Sequence, residues 1–423
     1  MSLEFPLDVW IHSLPYLHRL EDSKNLSMTC KSLREISLPR IYREFSFGLP
    51  NSMPLRDNDI ECMKSFFSRI CERTQSLQKF PHLCSHVRSV SIHSWVNCAE
   101  RIHAHKSAAS ENGDIIGATH NTDLANHLLS LAYESIIALL PQLPRLQQLV
   151  ISRSEITPAL HSYITSHSQL THLVISGCDI PEETVSRTKS SVSVPIQDMM
   201  IDNWRSSAHF ESYFPWLIDA CHPNLQSLMV SDEHIPLILV AAANRRLILR
   251  ELSISTETEE LSLATARLLA SCQELRTLKS YVADEGSDLS SLPDNALPNL
   301  EHILGPPRIM RVLVPGRPVR CIDVIDPLPE HEMPQFLDMF QRSKAEIRSI
   351  SLAYGDEGLE DPLKSMHSLY AFRHLNHLTI FFTSLKEGMP TAKVRIMPKT
   401  GYIRLTLGPG NHGWYSKGAA PLA

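Results

Sequence analysis

The feature that most constrains this chain is a short apolar frame that returns along most of its length. In its clearest form the frame runs from Leu170 through Leu173 to Ile175, so that apolar residues occupy its first, fourth and sixth positions. From Leu146 onward the frame begins again after steps of 19 to 29 residues. The first residues of the successive frames are Val87, Leu146, Leu170, Ile196, Leu225, Leu249, Leu275, Leu300, Val319, Ile347 and Leu375. A period of this size predicts a repeat protein with one supersecondary unit per repeat.

The spacing inside the frame predicts a short strand with one buried side. Its fourth and sixth positions are two residues apart, so both side chains fall on the same face of a strand. One such strand cannot bury that face alone, and neighbouring units must therefore stack and share a core. Steps of this length, each with one strand and often a helix, are typical of leucine-rich repeats. The stretch from Leu170 to Ile180 resembles the full repeat segment, since Cys178 stands where Asn or Cys holds the turn after the strand.

Helical stretches separate the later frames, and a crossover between parallel strands of one sheet is right-handed. The expected fold is therefore α/β, a curved solenoid with parallel strands on its concave face and helices on its convex face. The predicted helices cover 209–220, 236–247, 261–271, 332–345 and 359–373. Prolines crowd the region around Val319, and that repeat is expected to lack a helix.

Composition limits the classes of function. The chain has 423 residues, 43% hydrophobic and 20% charged, which is ordinary for a folded soluble protein. Its net charge of -6 provides no basic surface for nucleic acid. No apolar run approaches a membrane span, and no signal peptide is evident. The nine cysteines are scattered, which favours reduced thiols and an intracellular location, in the cytoplasm, the nucleus or both.

Residues 3–47 are expected to form a separate helical domain. Asp8 can cap a first helix, and a second helix opens near residue 21. Forty-five residues are too few to bury a good core alone, so an apolar face at this end would need a partner. The apolar residues and the proline that would present this face are Phe5, Pro6, Val9, Ile11, Leu14 and Leu17.

The order of these residues resembles an F-box. Residues 5–17 are similar to its opening, 25–34 to its middle, and 38–43 to the exit common in fungal F-box proteins. Phe5, where Leu is usual, and Trp10, at a variable position, depart from the pattern without loss of apolar character. The resemblance implies a Skp-family adaptor and a cullin ubiquitin ligase as partners, with the repeats holding a protein substrate. The alternative is a plain helical cap that closes the first repeat.

The remaining chain divides by pattern. Residues 48–86 are expected to be a helical linker and 87–385 the repeat solenoid, with a disordered insertion at 105–123. Residues 386–423 are expected to form a hairpin, with strands at 394–397 and 402–407, and a flexible tail.

No catalytic, cofactor or metal motif stands out. Cys98, His103 and His105 form the tightest group of possible metal ligands, but their spacing is not a common zinc spacing, and solvated loop residues are the better interpretation. Phosphate-binding, hydrolase and kinase motifs are also missing from the sequence. We therefore expect a binding protein rather than an enzyme, with no cofactor and no metal.

The fifth position of the frame alternates with the buried positions and should face outward on the concave side. In four successive frames it is apolar, as Val150, Val174, Met200 and Met229. An open apolar stripe on a soluble protein usually marks a partner site, so these four are the candidate substrate-binding residues. Two alternatives stay open. Another segment could cover the stripe, or a register slip of one residue would exchange the two faces. Likewise, a ligase substrate receptor and a repeat scaffold that acts without a ligase both remain.

Overall fold

The chain forms two compact units, Met1–Asn224 and Leu225–Ala423. The boundary falls inside the range 87–385 that was predicted as one solenoid domain. The structure is a computed structural model, and it describes residues 19–48, 59–96, 98–100, 102–103, 107, 115–189, 193–202, 209–242, 247–255, 263–281, 289, 292–355, 372–383, 392–397 and 402–407.

Five parallel strands organise the first unit. They pair in sequence order, each with the next, and no register shift interrupts the four ladders. The strands are β1 (Glu44–Gly48), β2 (Ser89–His93), β3 (Gln148–Ser152), β4 (His172–Ser176) and β5 (Asp198–Asp202). Each is five residues long, as expected for a strand that ends with its frame.

Helices connect these strands. The helical segments are α1 (Leu20–Ser27), α2 (Lys31–Ile41), α3 (Asp59–Lys79), α4 (Pro81–Cys84), α5 (Ile115–Leu139), α6 (Pro158–Ser166), α7 (Glu182–Val185) and α8 (Phe210–Cys221). Short 3-10 turns follow α5 and α7, at Leu140–Gln142 and Ser186–Lys189. Helix α6 was not predicted, although its start is well defined. Thr157 accepts a hydrogen bond from the Leu160 amide, and Pro158 lies at the start of the helix.

The second unit repeats the arrangement. Seven strands pair in parallel and in sequence order, and two antiparallel strands follow them. The parallel strands are β6 (Ser227–Ser231), β7 (Glu251–Ser255), β8 (Thr277–Tyr281), β9 (His302–Gly305), β10 (Cys321–Leu328), β11 (Ser349–Gly355) and β12 (His377–Thr383). The antiparallel strands are β13 (Ala392–Met397) and β14 (Tyr402–Leu407). The helices are α9 (Ile235–Ala242), α10 (Leu263–Ser271), α11 (Pro307–Leu313) and α12 (Met333–Phe340).

The apolar frame forms the core in both units. In β3 and β4 the frame residues Leu149, Ile151, Leu173 and Ile175 are at most 1% exposed, whereas their strand neighbours remain partly exposed. The apolar sides of the connecting helices are buried too. Helices therefore cover one face of the strands, the other face is open, and the α/β class with parallel strands is confirmed.

Several boundaries differ from the sequence-based expectation. Strand β1 lies inside the range predicted as a purely helical domain, and it was missed because its Phe45 and Phe47 lack the preceding frame residue. Part of the predicted insertion, 115–123, belongs to helix α5, while 104–106 and 108–114 lie outside the described residues. The closing hairpin appears where it was predicted, with Val394 opposite Leu405. The predicted helix at 359–373 falls almost entirely outside the described residues.

The proline-rich repeat contains a helix, contrary to the prediction. Pro306 is the cap residue of α11, and Pro307 occupies its first turn. Proline is tolerated there because the first amides of a helix have no intrahelical acceptor and its fixed φ suits the helix. Pro306 and Pro307 therefore mark the start of a helix rather than its absence.

Among the described residues, the stretch Asp123–Gln142, which covers most of α5 and the 3-10 turn after it, is long and apolar enough to cross a membrane, with a mean hydropathy of 1.2. From the sequence we expected no apolar run of this length. Among its residues Ala132, Ile136 and Leu139 are at most 1% exposed, and the Ser135 hydroxyl lies 3.0 Å from that of Thr74 in α3. These contacts are those of a core helix of the first unit.

Cys178 closes the turn after β4. Its thiol donates to the carbonyls of Ile151 at 3.4 Å and Ser176 at 3.5 Å, and the side chain is fully buried. Burial raises the pKa of this thiol to about 11. Cys178 is therefore a neutral hydrogen-bond donor that holds the turn after β4.

Arg317 has a comparable role in the second unit. It is only 4% exposed, and its guanidinium donates to the carbonyls of Ala296 and Val312, both at 2.9 Å. Weaker bonds reach the carbonyls of Leu313, Pro315 and Pro293. One side chain thus satisfies the C-terminal carbonyls of α11 and ties that helix to the preceding loop.

We expect Arg317→Met to lower the free energy of unfolding by about 3 kcal/mol, because several buried carbonyls lose a charged donor. Arg320→Met, at an exposed position nearby, is the matched control and should cost less than about 0.5 kcal/mol. Urea unfolding followed by circular dichroism measures both. Equal losses in the two variants would show that Arg317 does not hold the helix end.

His161 is a buried histidine between α6 and α8. It is 4% exposed, its Nδ1 lies 3.3 Å from the Tyr213 hydroxyl, and its ring centre lies 4.8 Å from that of Trp216. Burial, and secondly the nearby Arg187, hold its pKa below the ordinary value. The unfolded chain consequently takes up this proton at a higher pH than the folded protein does.

Stability should therefore fall as the pH drops below about 6.5, because the unfolded state then binds more protons than the folded state. We expect His161→Phe to weaken this dependence, as measured by thermal unfolding between about pH 4.5 and 7.5. Tyr213→Phe removes the hydrogen-bond partner but keeps the titrating ring, so it should lower stability at every pH and retain the slope. An unchanged slope in His161→Phe would contradict the assignment.

Candidate protein-interaction face on the strands

The candidate site is the open face, which is the side of the strands that the helices do not cover. In the first unit its residues align in three rows, because the ladders keep their register from β1 to β5. The first row contains Glu44, Ser89, Gln148, His172 and Asp198. The middle row contains Ser46, Ser91, Val150, Val174 and Met200. The third row contains Gly48, His93, Ser152, Ser176 and Asp202.

Three consecutive residues of the middle row are apolar, Val150, Val174 and Met200, and together they are called the apolar row. They are Cα partners on adjacent strands, and each is half-buried rather than enclosed. Neighbouring strands lie roughly 4.8 Å apart, so the three side chains form one continuous strip. This confirms the register that the frame predicted, in which the fifth position faces away from the core.

Polar side chains flank the apolar row on both sides. In the first row His172 Nε2 lies 2.8 Å from Asp198 Oδ2, and both side chains are about half exposed. The Thr171 hydroxyl lies 2.8 Å from the other ring nitrogen of His172, which fixes the orientation of the ring. In the third row Ser152, Ser176 and Asp202 supply hydroxyl and carboxylate groups. A partner would therefore meet an apolar centre with a polar edge.

The open face of the second unit is charged instead. Lys279 lies 2.5 Å from Glu251, and His302 Nε2 lies 2.8 Å from Asp323 Oδ2. Lys279 lies two residues beyond the residue that directly faces Glu251, and Asp323 lies two residues beyond the residue that directly faces His302. Both pairs are therefore diagonal neighbours, a separation that long side chains can span. The exposed Lys279–Glu251 ion pair contributes at most about 1 kcal/mol, so this pattern of paired side chains matters more for recognition than for stability.

The structure places the four predicted substrate-binding residues in two different units. Val150, Val174 and Met200 lie together in the first unit, whereas Met229 lies on β6 of the second, where its neighbour in the same row is Ser253. The predicted adaptor-binding residues, Phe5, Pro6, Val9, Ile11, Leu14 and Leu17, all lie outside the described residues. The two ion pairs of the second unit were missed. Opposite charges at the third and fifth positions of successive frames would have revealed them.

The described part of the N-terminal helices leaves apolar surface exposed. In α1 and α2 the buried residues are Ser23 and Ser37, whereas Leu20 and Met28 are 48% and 72% exposed. Leu26, Leu33 and Ile36 are only half-buried. This helix pair is thus sparsely packed compared with the strand core that follows it.

The possible metal ligands and thiols of the described residues can be compared with the sequence-based expectation. Within them no group of three or more His, Cys, Asp or Glu side chains could hold a metal ion. Cys98, one member of the group weighed in the sequence, is 2% exposed, and His105 lies outside the described residues. Burial raises the pKa of the Cys272 thiol to about 11, as it does for Cys178, so neither is a thiolate near neutral pH.

No protein-family model matches this chain, and no curated protein matches it in sequence. The features that bear on its function are therefore the geometry of the strand face and the residues of the N-terminal segment.

Two adjacent residues of β4 test which face is open. Ile175 is 1% exposed and belongs to the core, whereas Val174 is half-buried on the open face. We expect Ile175→Asp to abolish folding, because an unpaired buried carboxylate costs several kcal/mol. Val174→Asp should keep the fold and change the free energy of unfolding by less than about 1 kcal/mol. Circular dichroism with urea titration measures both. Similar losses would mean that the apolar row is core.

Proposed function

We propose that this chain is a substrate receptor of a cullin ubiquitin ligase. In this proposal the repeated units are leucine-rich repeats whose strands line a concave face, and that face binds a protein substrate. Residues 3–47 would act as an F-box that binds a Skp-type adaptor. The apolar row Val150, Val174 and Met200, open on a strand face with a polar edge, is the observation that carries the binding role.

A protein partner suits this face better than a small molecule. The apolar row crosses three adjacent strands on a sheet surface, and apolar patches with polar edges mark protein interfaces. Met200 at its end adds a flexible, polarizable side chain that adapts to varied partners. The His172–Asp198 pair beside it provides oriented hydrogen-bonding groups that would set specificity.

The coupling to an adaptor rests on the N-terminal segment. Its residues resemble an F-box in order and in type. Helices α1 and α2 also leave Leu20 and Met28 exposed, the kind of apolar helical surface that a partner would cover. A receptor of this kind performs no chemistry itself. It would hold the substrate near the ligase, and the chain would act as a non-catalytic subunit in the cytoplasm, the nucleus or both.

One observation favours the alternative, a repeat scaffold that acts without a ligase. Helix α2 ends at Ile41, and β1 begins at Glu44. The ring of Tyr42, between them, lies 6.0 Å from that of Phe45, and Arg73 of α3 covers the Phe45 ring at 4.5 Å. The helix pair thus runs directly into the first strand, as a cap would.

The test compares affinity purifications of three forms of the full chain, the wild type, Pro6→Ala with Leu14→Ala, and Val174→Asp with Met200→Asp. Interfaces depend on a few buried anchors, each worth roughly 2 kcal/mol or more. We expect the first variant to lose Skp and cullin, and the second to retain them but lose other specific partners. Circular dichroism confirms that both variants are folded.

The outcomes separate the two candidates. A wild type that captures neither Skp nor cullin, yet loses partners on changing Val174 and Met200, would be the scaffold. Partners that still co-purify with both variants would show that the open face does not bind them. As a matched control, Gln142→Asp with Gln169→Asp adds the same charge at two exposed positions of the first unit that lie outside the strands and the open face.

A further inference from the structure

A groove of about 870 Å³ lies on the helix side of the first unit. Its walls come from α5, the 3-10 turn that follows it, α6 with its cap residue Thr157, and Arg187 of the turn after α7. The groove is thus separate from the open face, which the strands form. Its size falls within the range of small-molecule sites, roughly 300–1,000 Å³.

The walls of the groove are mainly apolar. One wall carries Ile137 and Ala138 of α5 and Pro141, and the other carries Pro158 and Ala159 of α6. Walls of this composition suit the apolar part of a small molecule.

The lining contains one buried polar group without a partner. Tyr163 is 5% exposed, and its hydroxyl is buried with no hydrogen-bond partner among the described residues. By contrast, Tyr133 across the groove donates its hydroxyl to the Glu155 carbonyl. An unsatisfied buried hydroxyl destabilises a fold by roughly 1–3 kcal/mol, and such a group in a native structure calls for an explanation.

Three other polar side chains of the lining already have hydrogen-bond partners. The hydroxyls of Ser162 and Ser166 already donate to the carbonyls of Pro158 and Tyr163, and His167 Nε2 lies 3.1 Å from the Leu146 carbonyl. The Tyr163 hydroxyl therefore remains a buried donor beneath the groove, without a partner among the described residues. Arg187 adds an exposed cation to the lining, and Glu134 adds an exposed carboxylate.

We propose that this groove is a binding site for a small amphipathic molecule, with an apolar body and an anionic acceptor group. The body packs between the walls of α5 and α6. The acceptor group reaches below the groove surface to receive the Tyr163 hydrogen bond, and Arg187 attracts its charge. This site does not depend on the proposed ligase function, because none of its lining residues belongs to the open face or to the N-terminal helices.

The probe is anilinonaphthalene sulfonate, an aromatic body with an anionic acceptor. Its fluorescence in the presence of the full chain should report one site per chain, and Tyr163→Phe should weaken binding about tenfold, as expected for loss of one hydrogen bond to a charged group. N-phenylnaphthylamine has the same aromatic body without the sulfonate, so Tyr163→Phe should leave its affinity unchanged. Arg187→Gln should weaken only the sulfonate probe, and Glu134→Gln should strengthen it.

Stability separates a ligand-binding role of Tyr163 from a structural one. Removal of an unpartnered hydroxyl should leave the melting temperature of the free protein unchanged or raise it, whereas loss of a structural hydrogen bond would lower it. Ala159→Trp should fill the groove and abolish binding of both probes, and Val174→Asp on the open face should affect neither. Probe binding that survives Ala159→Trp, sulfonate affinity unchanged in Tyr163→Phe, or a lower melting temperature for that variant would overturn the proposal.

Discussion

The stacking of the frame residues from strand to strand is the interaction on which both units depend. Leu149, Leu173 and Met199 are Cα partners on successive strands, and none is more than 2% exposed. Burial of each such side chain stabilises the fold by roughly 1.5–3 kcal/mol, but only because the strands on both sides complete the layer. A five-residue strand with two or three buried side chains has no stability of its own. Stability therefore comes from the interfaces between neighbouring repeats, and damage to one frame residue weakens the repeats on both sides.

Since the frame residues and the helices supply the core, the open face is free to vary. The first unit places valine and methionine in its middle row, and the second places Lys279 and Asp323 at the equivalent positions, each paired with a side chain of the adjacent strand. Side chains on this face contribute little to folding, so their chemistry can be chosen for recognition. The same freedom explains why a substitution at Val174 and one at Ile175, adjacent in sequence, are expected to have opposite consequences.

Some buried polar groups hold the fold, and others, Tyr163 among them, have no hydrogen-bond partner among the described residues. Arg317 and Cys178 donate hydrogen bonds to backbone carbonyls. Each does so near the end of a helix or strand, where a carbonyl would otherwise lack a donor. Tyr163 has a similar degree of burial and no partner within the described chain. A donor that the fold leaves unused, in the wall of a groove, points to a role outside the fold itself.

The sequence by itself determined the repeat, the parallel strands and the face on which each strand residue lies, because these follow from a spacing of two residues along a strand and from stacking of like units. It also predicted the closing hairpin and most helices between strands. It did not reveal β1, whose two phenylalanines alternate without the preceding frame residue, nor α11, whose prolines look like breakers until their place at the first turn is known. The paired side chains of the second unit could have been read from opposite charges in successive frames, but the unpartnered hydroxyl of Tyr163 could be found only in three dimensions. It depends on how α6 packs against its neighbours, and the lengths and packing of the connecting helices decide that.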